Sequence, residues 1–248
     1  MDLDSGEISI CQKARTCPAV NCSKGYKEAA SYYQENHVNA IPTGTGGIYI
    51  VGLYPSFKEI AEQENMSGKS GELFRSMLNR AIRYSREAKI LEPQDNLEIF
   101  ISNVIRCRPA SSKKKDLALA AVRCSIHTAN EFDTFKPRVI LACGELAAMF
   151  FTGKVSGDNA GNITRNASQK YNTLRKQRGK YQKPHFTYHG VPVVLTWNPA
   201  RVIREEDTGT RINLENQIYA DLLEVIHVWK ENQASKGRLS IIGGSSII

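Results

Sequence analysis

The chain of 248 residues contains no apolar run of the roughly 18 residues that a membrane-spanning helix requires. Its opening, Met-Asp-Leu-Asp-Ser-Gly-Glu, lacks the basic-then-apolar order of a secretory signal. Both absences predict a cytoplasmic protein with no membrane partner. A reducing compartment makes the six cysteines poor disulfide candidates and better metal or cluster ligands. No internal repeat is present, which excludes solenoids and propellers. Acidic residues are the scarcer charge, 25 against 33 basic ones, and the net charge of +8 favours an anionic partner such as nucleic acid. With 41% hydrophobic and 23% charged residues, the composition is that of a globular chain long enough for one sizeable core.

Two nucleotide-binding motifs are also missing. The glycines of Ile41-Pro-Thr-Gly-Thr-Gly-Gly47 precede a strand, whereas a phosphate-cradling loop must follow one. Gly68-Lys69-Ser70 resembles the end of a phosphate loop, but the glycine required five positions earlier is Gln63.

What is present is an alternation of apolar runs and helical patterns. Ile48–Leu53, 97–102, Arg138–Cys143 and Val191–Thr196 read as buried strands. Helical spacing covers 26–36, 70–88, 116–134, 145–151 and 214–229. This order predicts an α/β fold, a three-layer α/β/α sandwich with a central four-stranded parallel sheet. Residues 1–40 form an amino-terminal arm and 41–235 the domain, interrupted by a basic insertion at 154–189. A tail, 236–248, is expected to fray. In such sheets ligands gather at the carboxyl ends of strands, here Gly52-Leu53-Tyr54-Pro55-Ser56, Asn103 and Trp197-Asn198-Pro199.

Several residue types at these places can carry chemistry. Four thiolates drawn from Cys11, Cys17, Cys22, Cys107 and Cys124 suit either tetrahedral zinc or an iron–sulfur cluster, whereas Cys143 lies in an apolar strand and reads as core. Asn103 offers a donor and an acceptor to a base edge. Glu59 is the nearest carboxylate to the first strand end, although a carboxylate at a helix start is more often simply a cap or a solvated charge. The basic runs Lys113-Lys114-Lys115 and Arg175-Lys-Gln-Arg178-Gly-Lys180 suit DNA phosphates.

Asn103-Val-Ile-Arg-Cys107-Arg-Pro109, then Cys124, then Phe135-Lys-Pro137-Arg-Val-Ile-Leu-Ala-Cys-Gly144-Glu-Leu-Ala-Ala148 resembles the middle of the uracil-DNA glycosylase superfamily, nearest its iron–sulfur families 4 and 5. The resemblance implies that DNA is the partner and that a flipped pyrimidine loses its base by cleavage of the N-glycosidic bond. It implies a 4Fe-4S cluster, with zinc the alternative, held by Cys17, Cys107, Cys124 and either Cys11 or Cys22. Asn103 matches the asparagine that reads the pyrimidine. Gly52-Leu53-Tyr54-Pro55-Ser56 matches the first motif, with Leu53 where family 4 places a carboxylate; Glu59 is then the candidate replacement. Asn198 stands where families 4 and 5 place histidine, next to Trp197 for packing or stacking and Arg201 for a phosphate. Arg178 resembles the arginine before the last strand.

These departures shape the substrate expectation. Small Ser56 opens the wall that excludes substituents at the pyrimidine C5, and the insertion, with Tyr171, Tyr181, Tyr188, Arg175, Arg178 and Lys180, adds possible contacts to a bulky group. A C5-modified cytosine, such as (glucosyl-)hydroxymethylcytosine of phage DNA, is expected, in a divergent anti-phage branch. Uracil repair is the alternative, and a catalytically silent DNA-binding module the alternative of another class. A monomer is expected.

Overall fold

The computed structural model describes residues 38, 40–109, 112–153 and 186–242, with side chains as far as 233. The arm with Cys11, Cys17 and Cys22, the expected helix at 26–36, and Tyr171, Arg175, Arg178, Lys180 and Tyr181 of the insertion lie outside the described residues.

In chain order the elements are β1 (Ile48–Gly52), α1 (Phe57–Glu62), α2 (Lys69–Glu87), β2 (Ile99–Asn103), α3 (Lys114–Arg123), α4 (Ser125–Phe135), β3 (Val139–Cys143), α5 (Glu145–Phe151), β4 (Phe186–Tyr188), β5 (Val191–Thr196), α6 (Pro199–Arg204) and α7 (Thr208–Ile242). The sheet order is β2-β1-β3-β5-β4. The four expected strands are β1, β2, β3 and β5, and all three pairings among them are parallel. A fifth strand, β4, is added antiparallel to β5. Its three residues are too few to show a period-two pattern. The chain turns into β5 at His189-Gly190, where both residues take positive φ as a tight hairpin requires.

Side chains alternate across the sheet. Tyr49, Val51, Ile140, Ala142, Val193 and Leu195 pack with α3, α4 and α5 on one face. Ile48, Ile50, Val139, Leu141, Cys143 and Val194 pack with α2, α6 and α7 on the other. A strand buried on both faces cannot show polar alternation, which is why these runs read as continuously apolar.

Two helices differ from expectation. The stretch 116–134 is not one helix but α3 and α4, which meet at Cys124. The Cys124 backbone at φ −78°, ψ −1° leaves the α-helical path there, and its N–H closes α3 on the Ala120 carbonyl at 2.8 Å. Helix α7 starts at Thr208 and runs to Ile242, past the point where fraying was expected. Propagation adds a backbone bond for each residue fixed, which favours continuing a helix once it has formed.

Candidate active site

The carboxyl ends of β1, β2, β3 and β5 open into one cavity of about 580 Å³. Its lining includes Gly52, Leu53, Tyr54, Ser56, Glu59, Asn103, Trp197, Asn198, Arg201 and Lys114. Residues up to 152 positions apart in sequence, from Gly52 to Arg204, are thus brought together where the parallel strands end and the helices that follow them begin. Pro55 is buried and is not among the lining residues, and neither are Lys113 and Lys115, which are exposed around the start of α3. Tyr188 points away from the cavity wall into an aromatic cluster, 5.0 Å from the Phe151 ring and 5.4 Å from Phe132.

The β1 end turns sharply into α1. Ser56 caps α1, its hydroxyl accepting from the Glu59 N–H at 3.3 Å, while Glu59 Oε2 accepts from the Ser56 N–H at 2.6 Å. The other Glu59 oxygen accepts from the Met66 N–H. The carboxylate therefore holds together the loop on both sides of α1, a capping box extended by one bond. Leu53 lies against the core of the α3–α5 face, and its carbonyl accepts from the Ile105 N–H at 2.9 Å.

Asn103 ends β2 and is buried. Its Oδ1 lies 2.4 Å from where a Cβ on Gly52 would sit, so only glycine fits opposite it in the β1–β2 register. Its Nδ2 donates to Asn65 Oδ1 at 2.7 Å. Asn198 follows β5 and caps α6, with Oδ1 accepting from the Ala200 N–H at 2.9 Å. That bond fixes the amide: its oxygen faces the helix, and the NH2 is the end left to serve as donor. Gly144, at φ +89°, permits this approach, because a Cβ there would meet the Asn198 Cβ at 2.9 Å. Trp197 donates from Nε1 to Gln217 at 2.7 Å, and the Arg201 guanidinium sits 4.5 Å over its ring.

Beneath the β2 end lies a buried polar cluster. Arg106 pairs with Glu131 and donates to Ser102 Oγ at 2.8 Å, and the Tyr49 hydroxyl donates to Glu131. Burial pushes the Glu131 carboxyl above its usual range, with the Arg106 guanidinium opposing it. Burial works against the Arg106 cation, but Glu131 and Tyr49 together with the hydrogen bond to Glu131 raise its pKa on balance. Breaking one side of such a pair would strand a buried charge, so the cluster anchors the loop that carries Asn103 and Cys107.

Cys107 and Cys124 are both buried, one in the loop after β2 and the other at the α3–α4 break. Cys124 lies close to the Arg106 guanidinium. Among the described residues no group of three or more candidate metal ligands occurs. Cys143 ends β3 in the core opposite, where burial pushes its thiol pKa up.

Sequence reasoning missed Asn65, Met66, Arg108 and Gly144. Arg108 lines the cavity and stacks its guanidinium 3.9 Å from the centre of the exposed Phe57 ring. The clue to Met66 was Gly71, since a Cβ there would fall 2.0 Å from the Met66 carbonyl oxygen.

A cavity floored by two oriented amides and rimmed by arginine and lysine suits recognition of a planar polar base on a phosphate backbone. The chain is 22% identical over 237 residues to the Type-4 uracil-DNA glycosylase of Saccharolobus solfataricus, covering 88% of this chain and 92% of that protein. Residues 39–223, well over half of the chain and all of the strand ends that build the cavity, match the Uracil DNA glycosylase superfamily, and the chain therefore belongs to that superfamily of DNA glycosylases.

Proposed function

We propose that this glycosylase flips a C5-modified cytosine, such as glucosylated hydroxymethylcytosine of phage DNA, into the cavity and hydrolyses its N-glycosidic bond in anti-phage defence. The observation that carries the reading is the cavity itself. At about 580 Å³ it has the volume of a site for a drug-sized ligand, more than a bare pyrimidine requires. Ser56 on its wall is small and is held by its capping bonds.

Asn103 reads the base edge, and the Asn198 NH2 donates to the base oxygen on which negative charge grows as the bond breaks. Both Glu59 oxygens already accept backbone N–H groups, and Leu53 carries no acid, so water attacks without a dedicated carboxylate base. The chemistry then rests on leaving-group stabilisation. Lys114, Arg108 and Arg201 hold the flanking phosphates at the rim. Cys107 and Cys124 would supply half of a 4Fe-4S site whose remaining thiolates would come from Cys17 and either Cys11 or Cys22. Such a cluster would tie the arm to the loop beside the cavity.

The relative's name favours a second reading, uracil repair. Purified protein is incubated with uracil-containing DNA, unmodified DNA and phage DNA bearing glucosylated hydroxymethylcytosine, and released bases are identified by mass spectrometry. Release of the modified cytosine alone supports the first reading; release of uracil alone replaces it with repair, and release of nothing leaves a silent DNA-binding module. In the same preparation iron and visible absorbance are expected, and are lost in Cys107→Ser; a colourless zinc protein would refute the cluster.

A further inference from the structure

A side-chain amide presents a donor and an acceptor that exchange places on a half-turn of its terminal bond. Uracil offers a donor at N3 and an acceptor at O4, whereas cytosine offers an acceptor at N3 and a donor at N4. In one pose, then, the two bases require opposite orientations of the amide that reads them.

Asn65 removes that freedom from Asn103. Its Nδ2 donates to the Ile101 carbonyl at 3.2 Å, a group that can only accept. Its Oδ1 must therefore face Asn103, and it accepts from Asn103 Nδ2 at 2.7 Å. A half-turn of Asn103 would set two amide oxygens against each other in a buried place, where both residues are at most 7% exposed. The Gly52 backbone closes the other flank against Asn103 Oδ1. Asn65 is itself held. Arg75 Nη2 donates to its carbonyl at 2.8 Å and Arg75 Nε to the Met66 carbonyl at 3.1 Å, across a turn in which Met66 takes φ +57°.

We propose that Asn65 is a positioning residue that sets the polarity of Asn103, and through it decides whether the cavity accepts a uracil-type or a cytosine-type edge. The inference rests on the base-reading role given to Asn103 above.

The test uses two single-stranded oligonucleotides that differ only in carrying 2′-fluoroarabino-uridine or 2′-fluoroarabino-cytidine, whose glycosidic bonds resist cleavage. Binding is thereby read apart from base release. The wild type is expected to prefer one of the two by about tenfold or more, the discrimination of one bidentate edge contact. Asn65→Leu is expected to shrink that preference to about twofold or less, because either amide orientation is then available. Asn65→Asp keeps an acceptor facing Asn103 Nδ2 and gives up only the bond to Ile101, so the preference persists. A merely structural Asn65 predicts the reverse order, since Asp sets a charge against the Ile101 carbonyl, and it predicts that affinity for both oligonucleotides falls together. An undiminished preference in Asn65→Leu, or a wild type that binds both alike, overturns the proposal. A wild type that binds neither requires more than the unmodified base for binding; the lock is then judged by hydrogen exchange of the Asn103 side-chain NH2 in 15N spectra. Protection in the wild type and Asn65→Asp but not in Asn65→Leu sustains the lock, and equal protection in all three refutes it.

Discussion

Asn198 divides its amide between two tasks, and substitutions can separate them. Its oxygen caps α6 through the Ala200 N–H, and its NH2 is the donor assigned to the departing base. Asn198→Asp keeps the capping acceptor but replaces the donor with negative charge where the base becomes an anion. The variant is expected to fold with unchanged stability and to lose base release by about 10²-fold or more, the scale of a lost transition-state donor. Asn198→Ala removes both functions, so it should lose a similar factor in rate and also about 1 kcal/mol of stability for the cap. Single-turnover rates and thermal melts of the two variants check this. An active Asn198→Asp would move the anion-stabilising role to another residue.

The β1–α1 turn carries Ser56 and Glu59 on the cavity wall, and its own hydrogen bonds decide what they do. Glu59 binds the Ser56 and Met66 N–H groups, so its effect is that of a strut under the cavity wall. Glu59→Gln keeps one acceptor oxygen and loses the other, and is expected to cost about 1 kcal/mol of stability while slowing base release by less than about tenfold. A loss of 10³-fold with the fold intact would instead make Glu59 the base that activates water. How much of this was legible in the sequence follows the range of the interactions. The strands and the residues at their ends were readable, because burial on both faces leaves unbroken apolar runs and the chemistry sits where they stop. The capping role of Glu59 was readable as an alternative from its place at a helix start. The Asn65–Asn103 bond spans 38 positions and leaves no periodic trace, so no pattern could show it. The break at Cys124 was hidden for a different reason: Ala, Val and Leu around it continue the helical pattern while the backbone does not.

At the scale of the molecule, stability and function occupy opposite ends of the sheet. Helix α7 clamps the amino-terminal side: Trp229 donates to the Gly46 carbonyl at 2.9 Å before β1, and Asn232 donates to the Arg138 carbonyl at 3.1 Å before β3. Lys230 completes the clamp with a 2.5 Å contact to Asp95, which precedes β2. Burial alone pushes the Asp95 carboxyl up, but the Lys230 ammonium and the Glu92 N–H outweigh it and hold it below the usual carboxylate range. A carboxylate whose pKa is lower in the folded than in the unfolded chain stabilises the fold above the unfolded value, about 3.9. That contribution is lost as pH falls through the folded value. Lys230 is about one-third exposed, so solvent screening limits the pair to about 1 kcal/mol or less, or 2–4 °C in Tm for a domain of this size. Asp95→Asn should therefore melt a few degrees below the wild type at pH 7, and the gap should close as pH is lowered below about 4. Base release at pH 7 and 25 °C should be unchanged, since no residue of the clamp lines the cavity. A variant that melts normally but loses activity would mean that the two ends of the sheet are coupled, and that α7 positions the strand ends as well as holding the fold.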